Sequence, residues 1–205
     1  MDYKLHWEQV YQMSKPDEVS WWRPDLEISL QLIEDAATTR DAPIIDVGEG
    51  ESTLVDDVLA LGYRKLHTMG LSATALDIAK ARLHANAAQV EWLSGDVRLF
   101  AFGHHMYDLW HDRAVLHLLA GASYRATYVR QGARTVNPGS QVIGATFGPD
   151  GPTRCSCLEV VRYDPEALHH EFGKAFRLVK RRTELRQASM GTTQHFTDCD
   201  CKISA

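Results

Sequence analysis

A doubly wound α/β domain with a mostly parallel sheet is the fold class predicted by this 205-residue chain. Short apolar runs alternate with stretches of helical periodicity through the first 147 residues, the pattern of a parallel sheet covered by helices. Two consecutive strand-like segments close the chain, which predicts an antiparallel finish. The length suits one domain with a full core, and 44% hydrophobic with 24% charged residues is an ordinary globular balance.

The elements follow in order. Residues 4–13 (KLHWEQVYQM) form a short amphipathic helix, followed by the polar stretch SKPDEVSWW. Pro24 stands where a first helical turn favours proline. Leu26, Leu30, Ile33, Ala36 and Ala37 then recur at helical spacing. APIIDV (42–47) is a buried strand, and Ser52 caps a helix over TLVDDVLALG that stops at Gly62. YRKLHTM (63–69) is a strand and SATALDIAKARLHA (72–85) a helix capped by Ser72. QVEWLSG (89–95) and MYDLWHD (106–112) are strands. YRATYVRQGARTV (124–136) is a helix that ends at the turn NPGS, and QVIGATFG (141–148) is a strand. Beyond a loop rich in Gly, Pro and Cys, PEALHHEFG (165–173) is a helix, and the final strands fall near 175–187 and 192–203.

Charge and composition exclude several classes of function. A net charge of −5 argues against a nucleic-acid surface. The one dense basic run, Lys180-Arg181-Arg182, reads as a solvated strand or turn face. The N-terminal MDYKLHWEQV lacks the apolar core of a secretory leader, and no apolar run approaches the roughly 18 residues that span a bilayer. The expectation is a cytoplasmic protein with neither nucleic acid nor membrane as partner. The cysteines form two CxC pairs, Cys155/Cys157 and Cys199/Cys201. Structural zinc favours spacings of two to four residues, so free thiols in a reducing compartment are preferred over a metal site.

In an open α/β sheet, ligands bind beyond the carboxyl ends of the strands. Here those ends read DVGEGES, TMGLS, SGDV, HDRAV and FGPDGP. The loop 46–52 has no lysine and hydroxyl at the spacing of a phosphate loop, and Thr53 stands where a dinucleotide fingerprint needs its third glycine. Glu49 and Glu51 would repel a pyrophosphate. A cationic cofactor without phosphate suits such a loop. S-adenosylmethionine is a sulfonium with an ammonium tail; Asp46 and the loop acids welcome that tail, and the glycines let backbone amides approach. An unliganded strand-to-helix turn is the plain alternative.

Several segments together resemble the class I S-adenosylmethionine-dependent methyltransferases. They resemble in particular a bacterial group carrying WEQVY…PDEVSWW and YDLWHDRAVLHLL segments, similar to thiol- and thiopurine-type small-molecule enzymes. The resemblance covers nearly the whole chain and implies a Rossmann-like seven-stranded sheet in one domain. Residues 1–40 would form a lid and the helix leading into the core, 41–147 the cofactor-binding part, and 148–205 the acceptor-side loop and antiparallel strands. It implies that Asp46, Gly48, Gly50 and Ser52 hold the cofactor, that Asp96 with Val97 beside it meets the adenine, and that the segment with His111 lies beneath the methyl. Trp7, Tyr11 and Trp21 would cover the cofactor as a lid, attracting the sulfonium through their ring faces. The sequence departs from the family at Gly70, where strand two normally ends in an acid that holds the ribose.

For catalysis the candidates are Asp112, as base or stabiliser of the sulfonium, and Arg113, as its ion partner or as a cation for an anionic acceptor. His117 is placed on one helical face with Arg113, with a satisfied core histidine as the simpler reading. Arg154, Arg162 and Tyr163 are candidates for the acceptor pocket. Methyl transfer rests chiefly on positioning, and a small-molecule thiol, partly ionised at neutral pH, is the favoured acceptor. A protein-lysine methyltransferase and a non-catalytic or weakened cofactor-binding protein of the same fold are the alternatives.

Overall fold

The computed structural model describes residues 2–13, 19, 26–37, 39–187 and 193–204. In chain order the elements are α1 (Tyr3–Met13), α2 (Glu27–Ala36), β1 (Ile44–Val47), α3 (Leu54–Ala60), β2 (Leu66–Gly70), α4 (Ala73–Leu83), β3 (Val90–Ser94), β4 (Tyr107–Arg113), α5 (Ala122–Thr135), β5 (Val136–Phe147), β6 (Arg154–Cys155), β7 (Leu158–Glu159), α6 (Pro165–Phe172), β8 (Phe176–Gln187) and β9 (Thr193–Ile203). Seven strands form one sheet in the order β3-β2-β1-β4-β5-β9-β8, and β6 pairs with β7 alone. The first five run parallel; β9 lies antiparallel to both β5 and β8. This is the doubly wound seven-stranded sheet with an antiparallel finish that the sequence predicts.

Period-two alternation along the central strands divides the core between the two faces. Ile44, Leu109 and Ile143 point to one side, against Leu32 and Ile33 of α2 and Leu54 and Val58 of α3. Ile45, Trp110 and Val142 point to the other, against Tyr128 of α5 and Leu168 and Phe172 of α6. Both faces of β1 are covered, so all four of its residues are buried. Local capping fixes where helices begin. Ser72 Oγ accepts from the Ala75 amide at 3.2 Å, and Asp164 Oδ1 accepts from Ala167 at 2.7 Å ahead of Pro165.

Two local expectations are corrected. NPGS is not a turn between helix and strand: β5 begins at Val136, and the segment passes as an irregularity in its pairing with β4, with Gly139 at φ +79°. The chain after Asp112 does not enter a helix carrying Arg113 and His117 on one face. Arg113 is the last residue of β4, Ala114 turns at φ +70°, and His117 lies in a short 3-10 turn, Leu116–Leu118. All four cysteines are free; Cys199 and Cys201 are buried on β9, Cys155 is buried and Cys157 is exposed. Among the described residues, no helix is long and apolar enough to cross a membrane.

Candidate active site

The strand order reverses between β1 and β4, and there a cavity of about 140 Å³ opens beyond the strand ends. Gly48 and Gly50 after β1, Leu71 and Ser72 after β2, Gly95 to Arg98 after β3, and Arg113 to Val115 at the end of β4 form its walls. Tyr3, Trp7 and Tyr11, one helical turn apart on α1, line it as well. A second cavity of about 60 Å³ shares Tyr11, Gly48, Gly50, Arg113 and Ala114 with the first, and adds Asp46, Glu49, Glu51, Ser52 and His111.

The two loop glycines are dictated by close approach. Gly48 sits at φ +84° and a Cβ there would lie 2.0 Å from Val115 Cγ2; Gly50 sits at φ +55° and a Cβ would lie 2.5 Å from the Tyr11 hydroxyl. The amides of Gly48 and Glu49 both donate to the Met69 carbonyl, which fastens the loop to β2. Ser52 Oγ accepts from the Leu54 amide, but the cap position of α3 falls one residue later, on Thr53, which makes no side-chain cap, so Ser52 braces the turn before the helix rather than capping it as predicted. Arg82 of α4 fastens the far side, donating to the carbonyls of Glu51 and Ser52 and to the Asp56 carboxylate.

The loop acids are buried without hydrogen bonds. Glu49 and Glu51 are 2% and 3% exposed, and none of their four carboxylate oxygens has a hydrogen-bond partner. Arg82 is the nearest cation, 3.7 Å from Glu49 Oε1. Burial and then the charge of Asp46 push the Glu49 carboxyl well above its ordinary range, and burial raises Glu51 to about 6. Asp46 itself is paired, 2.6 Å from His111 Nδ1, while His111 Nε2 lies 3.0 Å from Ser29 Oγ on α2. Predicted from four separate motifs, Asp46, Gly48, Gly50, Ser52, Asp96, Val97, His111, Trp7 and Tyr11 all line one or other cavity. Trp7 and Tyr11 stack with ring centroids 5.8 Å apart. Trp21 lies outside the described residues.

Asp96 lines the larger cavity with its carboxylate already held by Arg98, through the backbone amide at 2.9 Å and the guanidinium. Burial alone would raise its pKa, but the hydrogen bonds from Arg98 outweigh burial and hold it below the ordinary range. Arg98 in turn stacks on Tyr124, 4.4 Å from the ring, and reaches towards Tyr3 of α1 at 6.0 Å.

The end of β4 is arranged differently from the base-and-cation reading. Asp112 lines neither cavity. Its oxygens accept from the amides of Val115 at 2.8 Å and Leu116 at 3.0 Å and from the Tyr128 hydroxyl at 2.6 Å, and that hydroxyl accepts from Trp110. This network shapes the turn after β4. Burial lifts the Asp112 carboxyl to about 6 against those bonds. Arg113 does reach both cavities, but it is paired with Glu184 at 3.0 Å and Asp198 at 3.5 Å and lies over the Phe196 ring. His117 accepts from the Phe147 amide, and burial followed by the Arg113 charge depresses it to about 3, so it is a neutral core histidine. Arg154, Arg162 and Tyr163 line neither cavity; Arg162 is bound to the carbonyls of Pro149 and Gly151, and Tyr163 is buried against Glu171. Cys155 is the residue of that region that reaches the larger cavity.

Sequence reasoning missed Tyr3, Arg82 and Arg98. Tyr3 carried a signal, since it stands four residues before Trp7 as Trp7 stands four before Tyr11. Arg82 and Arg98 carried no comparable signal.

Residues 44–139 match the family described as a methyltransferase domain. No curated protein matches the chain significantly. Among solved structures, the chain is similar to one solved for the conversion of a disulfide bond into a thioacetal group during echinomycin biosynthesis. The identity is 14%, the TM-score 0.79, and 98% of this chain and 92% of that one are covered. It is similar to the N-methyltransferase NodS of Bradyrhizobium japonicum in complex with S-adenosylhomocysteine, at 14% identity and TM-score 0.74, over 98% of this chain and all of that one. It is also similar to the Burkholderia thailandensis 1,6-didemethyltoxoflavin-N1-methyltransferase, at 18% identity and TM-score 0.69, over 87% and 77% of the two chains.

Proposed function

We propose, from the premise that the chain is an S-adenosylmethionine-dependent methyltransferase of class I fold, that it methylates a small molecule whose nucleophile needs no base from the protein. One observation carries this reading: the titratable side chains at the end of β4 are already engaged. His111 is bound by Asp46 and Ser29, Asp112 by two amides and Tyr128, and Arg113 by two carboxylates. Cys155 is a protonated thiol, since burial raises it to about 12. A thiol acceptor is partly ionised at neutral pH and is the first choice; a neutral amine is the second. The solved neighbours named for thioacetal formation and for N-methylation are compatible with either.

The residues present fit the cofactor. Four orphaned oxygens on Glu49 and Glu51 suit a cationic group in the smaller cavity, and the glycine cradle between them admits nothing larger than hydrogen at Gly50 without meeting Tyr11. Bound there, S-adenosylmethionine supplies an electrophilic methyl on a sulfonium. In this reading Asp46, Gly48, Gly50, Ser52 and His111 shape the loop that receives its tail, and Asp96 and Val97 border the base. Trp7 and Tyr11 exclude water and present ring faces to positive charge. Arg113 orients the acceptor side as a neutralised ion pair, and Asp112 holds the turn that places it.

A weakened or non-catalytic cofactor-binding protein has one observation in its favour: β2 ends at Gly70, which has no side chain to offer a ribose. Calorimetric titration with S-adenosylmethionine and S-adenosylhomocysteine separates the readings. Micromolar binding, followed by release of S-adenosylhomocysteine with small thiols or amines, is the expected result. No binding up to about millimolar, roughly −4 kcal/mol, overturns the enzyme.

A further inference from the structure

Helix α1 contributes Tyr3, Trp7 and Tyr11 to the cavity wall, yet none of its eleven residues is buried. A helix of that length is marginal by itself, so something other than a core face must hold it. Glu8 lies beside Trp7 and faces the start of α4. Its Oε1 accepts from the Ala73 amide at 2.7 Å, and its Oε2 accepts from the Ser72 hydroxyl at 2.9 Å and the Thr74 amide at 3.3 Å. These donors belong to an element more than sixty residues away, and α4 has no acid in its own first turn. The helix therefore receives the negative charge its N-terminus favours from α1. Ser72, which caps α4 through Ala75, is itself a wall residue of the larger cavity.

We infer that Glu8 is a positioning residue: by capping α4 from outside, it holds Trp7 and Tyr11 over the cavity and so sets cofactor affinity without touching the cofactor. Hydrogen bonds to a charged acceptor are the strong ones, and three converge on this one carboxylate. The bonds also keep Glu8 ionised, since they outweigh the burial that would raise its pKa. The inference rests on the cofactor reading for its functional consequence and on the α1–α4 contact alone for its structural one.

The test pairs calorimetry with amide hydrogen exchange on the whole chain. Glu8→Ala is expected to weaken S-adenosylhomocysteine binding by about tenfold or more. Amides of residues 3–13 and of the first turn of α4 should lose protection while those of β1, β4 and β5 keep theirs. Glu8→Gln, which retains the shape and one acceptor oxygen, should recover part of both effects. Ser72→Ala, which removes one of the three donors together with the cap that α4 makes for itself, should move both in the same direction, and it serves if Glu8→Ala does not fold. Unchanged affinity in Glu8→Ala, or α1 amides as protected as in the parent, would overturn the inference. Failure of the parent itself to bind S-adenosylhomocysteine would sink the cofactor reading and with it the functional half; the exchange pattern would still decide the structural half.

Discussion

Asp112 and Glu49 are carboxylates buried at neighbouring strand ends, 1% and 2% exposed, and their surroundings are opposite. Asp112 is saturated by two amides and a phenol and faces no cavity. Glu49, with Glu51 beside it, has no hydrogen bond and borders one. Burial of a carboxylate does not by itself mark a functional site; the accounting of its lone pairs does. A satisfied acid is part of the frame. An unsatisfied one is a cost in the free protein that a cation can offset.

The largest expected effect follows from the satisfied member. Asp112→Ala strands the Val115 and Leu116 amides and the Tyr128 hydroxyl, and should cost about 3 kcal/mol or more in urea unfolding. The folded fraction should bind S-adenosylhomocysteine within about threefold of the parent. Lost affinity with intact stability would break the comparison, by returning Asp112 to the site.

The unsatisfied pair should behave in the reverse sense. Glu49→Gln combined with Glu51→Gln removes two buried carboxyl groups without hydrogen-bond partners and should stabilise the ligand-free protein at pH 7 by about 1–2 kcal/mol, while weakening S-adenosylhomocysteine binding about tenfold. A pH series sharpens this. Burial raises Glu51 from 4.5 to about 6 and pushes Glu49 in the same direction, so the folded chain holds protons that the unfolded chain has released. The contribution of Glu51 to stability is therefore present below about 4.5 and is lost as pH rises through about 6, and that of Glu49 has the same sign. Asp112 and Asp198, also raised to about 6, add the same sign. Stability by urea unfolding should fall across that window, and the double variant should fall less. Equal slopes would mean that the loop acids are not the titrating groups.

The smallest effect tests the surface. Arg181 pairs with Glu166 where both side chains are more than half exposed, and Arg181→Ala should change stability by no more than about 0.5 kcal/mol.

These contrasts were only partly legible in the chain. The order of elements was readable because hydrophobic period and capping residues are local signals, and Gly48 and Gly50 were readable because close approach admits little else. The anomaly of Glu49 and Glu51 was visible as charge in the wrong place for a phosphate. The partners of Asp112 and Arg113 were not. Asp112 depends on Tyr128, sixteen residues on, and Arg113 on Glu184 and Asp198, 71 and 85 residues on. Glu8 was invisible for the same reason, with partners 64 to 66 residues away. Nor does NPGS look like part of a strand until Val136 pairs with Tyr107 ahead of it and Gln141 with Leu109 beyond it.

The basic run Lys180-Arg181-Arg182 acquires its meaning from where β8 lies. It is the last strand of the sheet, twelve residues long, and its outer side carries unpaired backbone groups that a second chain would match. Arg177, Arg181 and Arg182 are exposed along it, and its register with β9 slips between Leu178 and Lys180. A strand so charged and so bent is a poor template for intermolecular pairing, even though Val179 and Leu185 are exposed on it. The arginines and the slip are features that disfavour addition of a further strand to this edge.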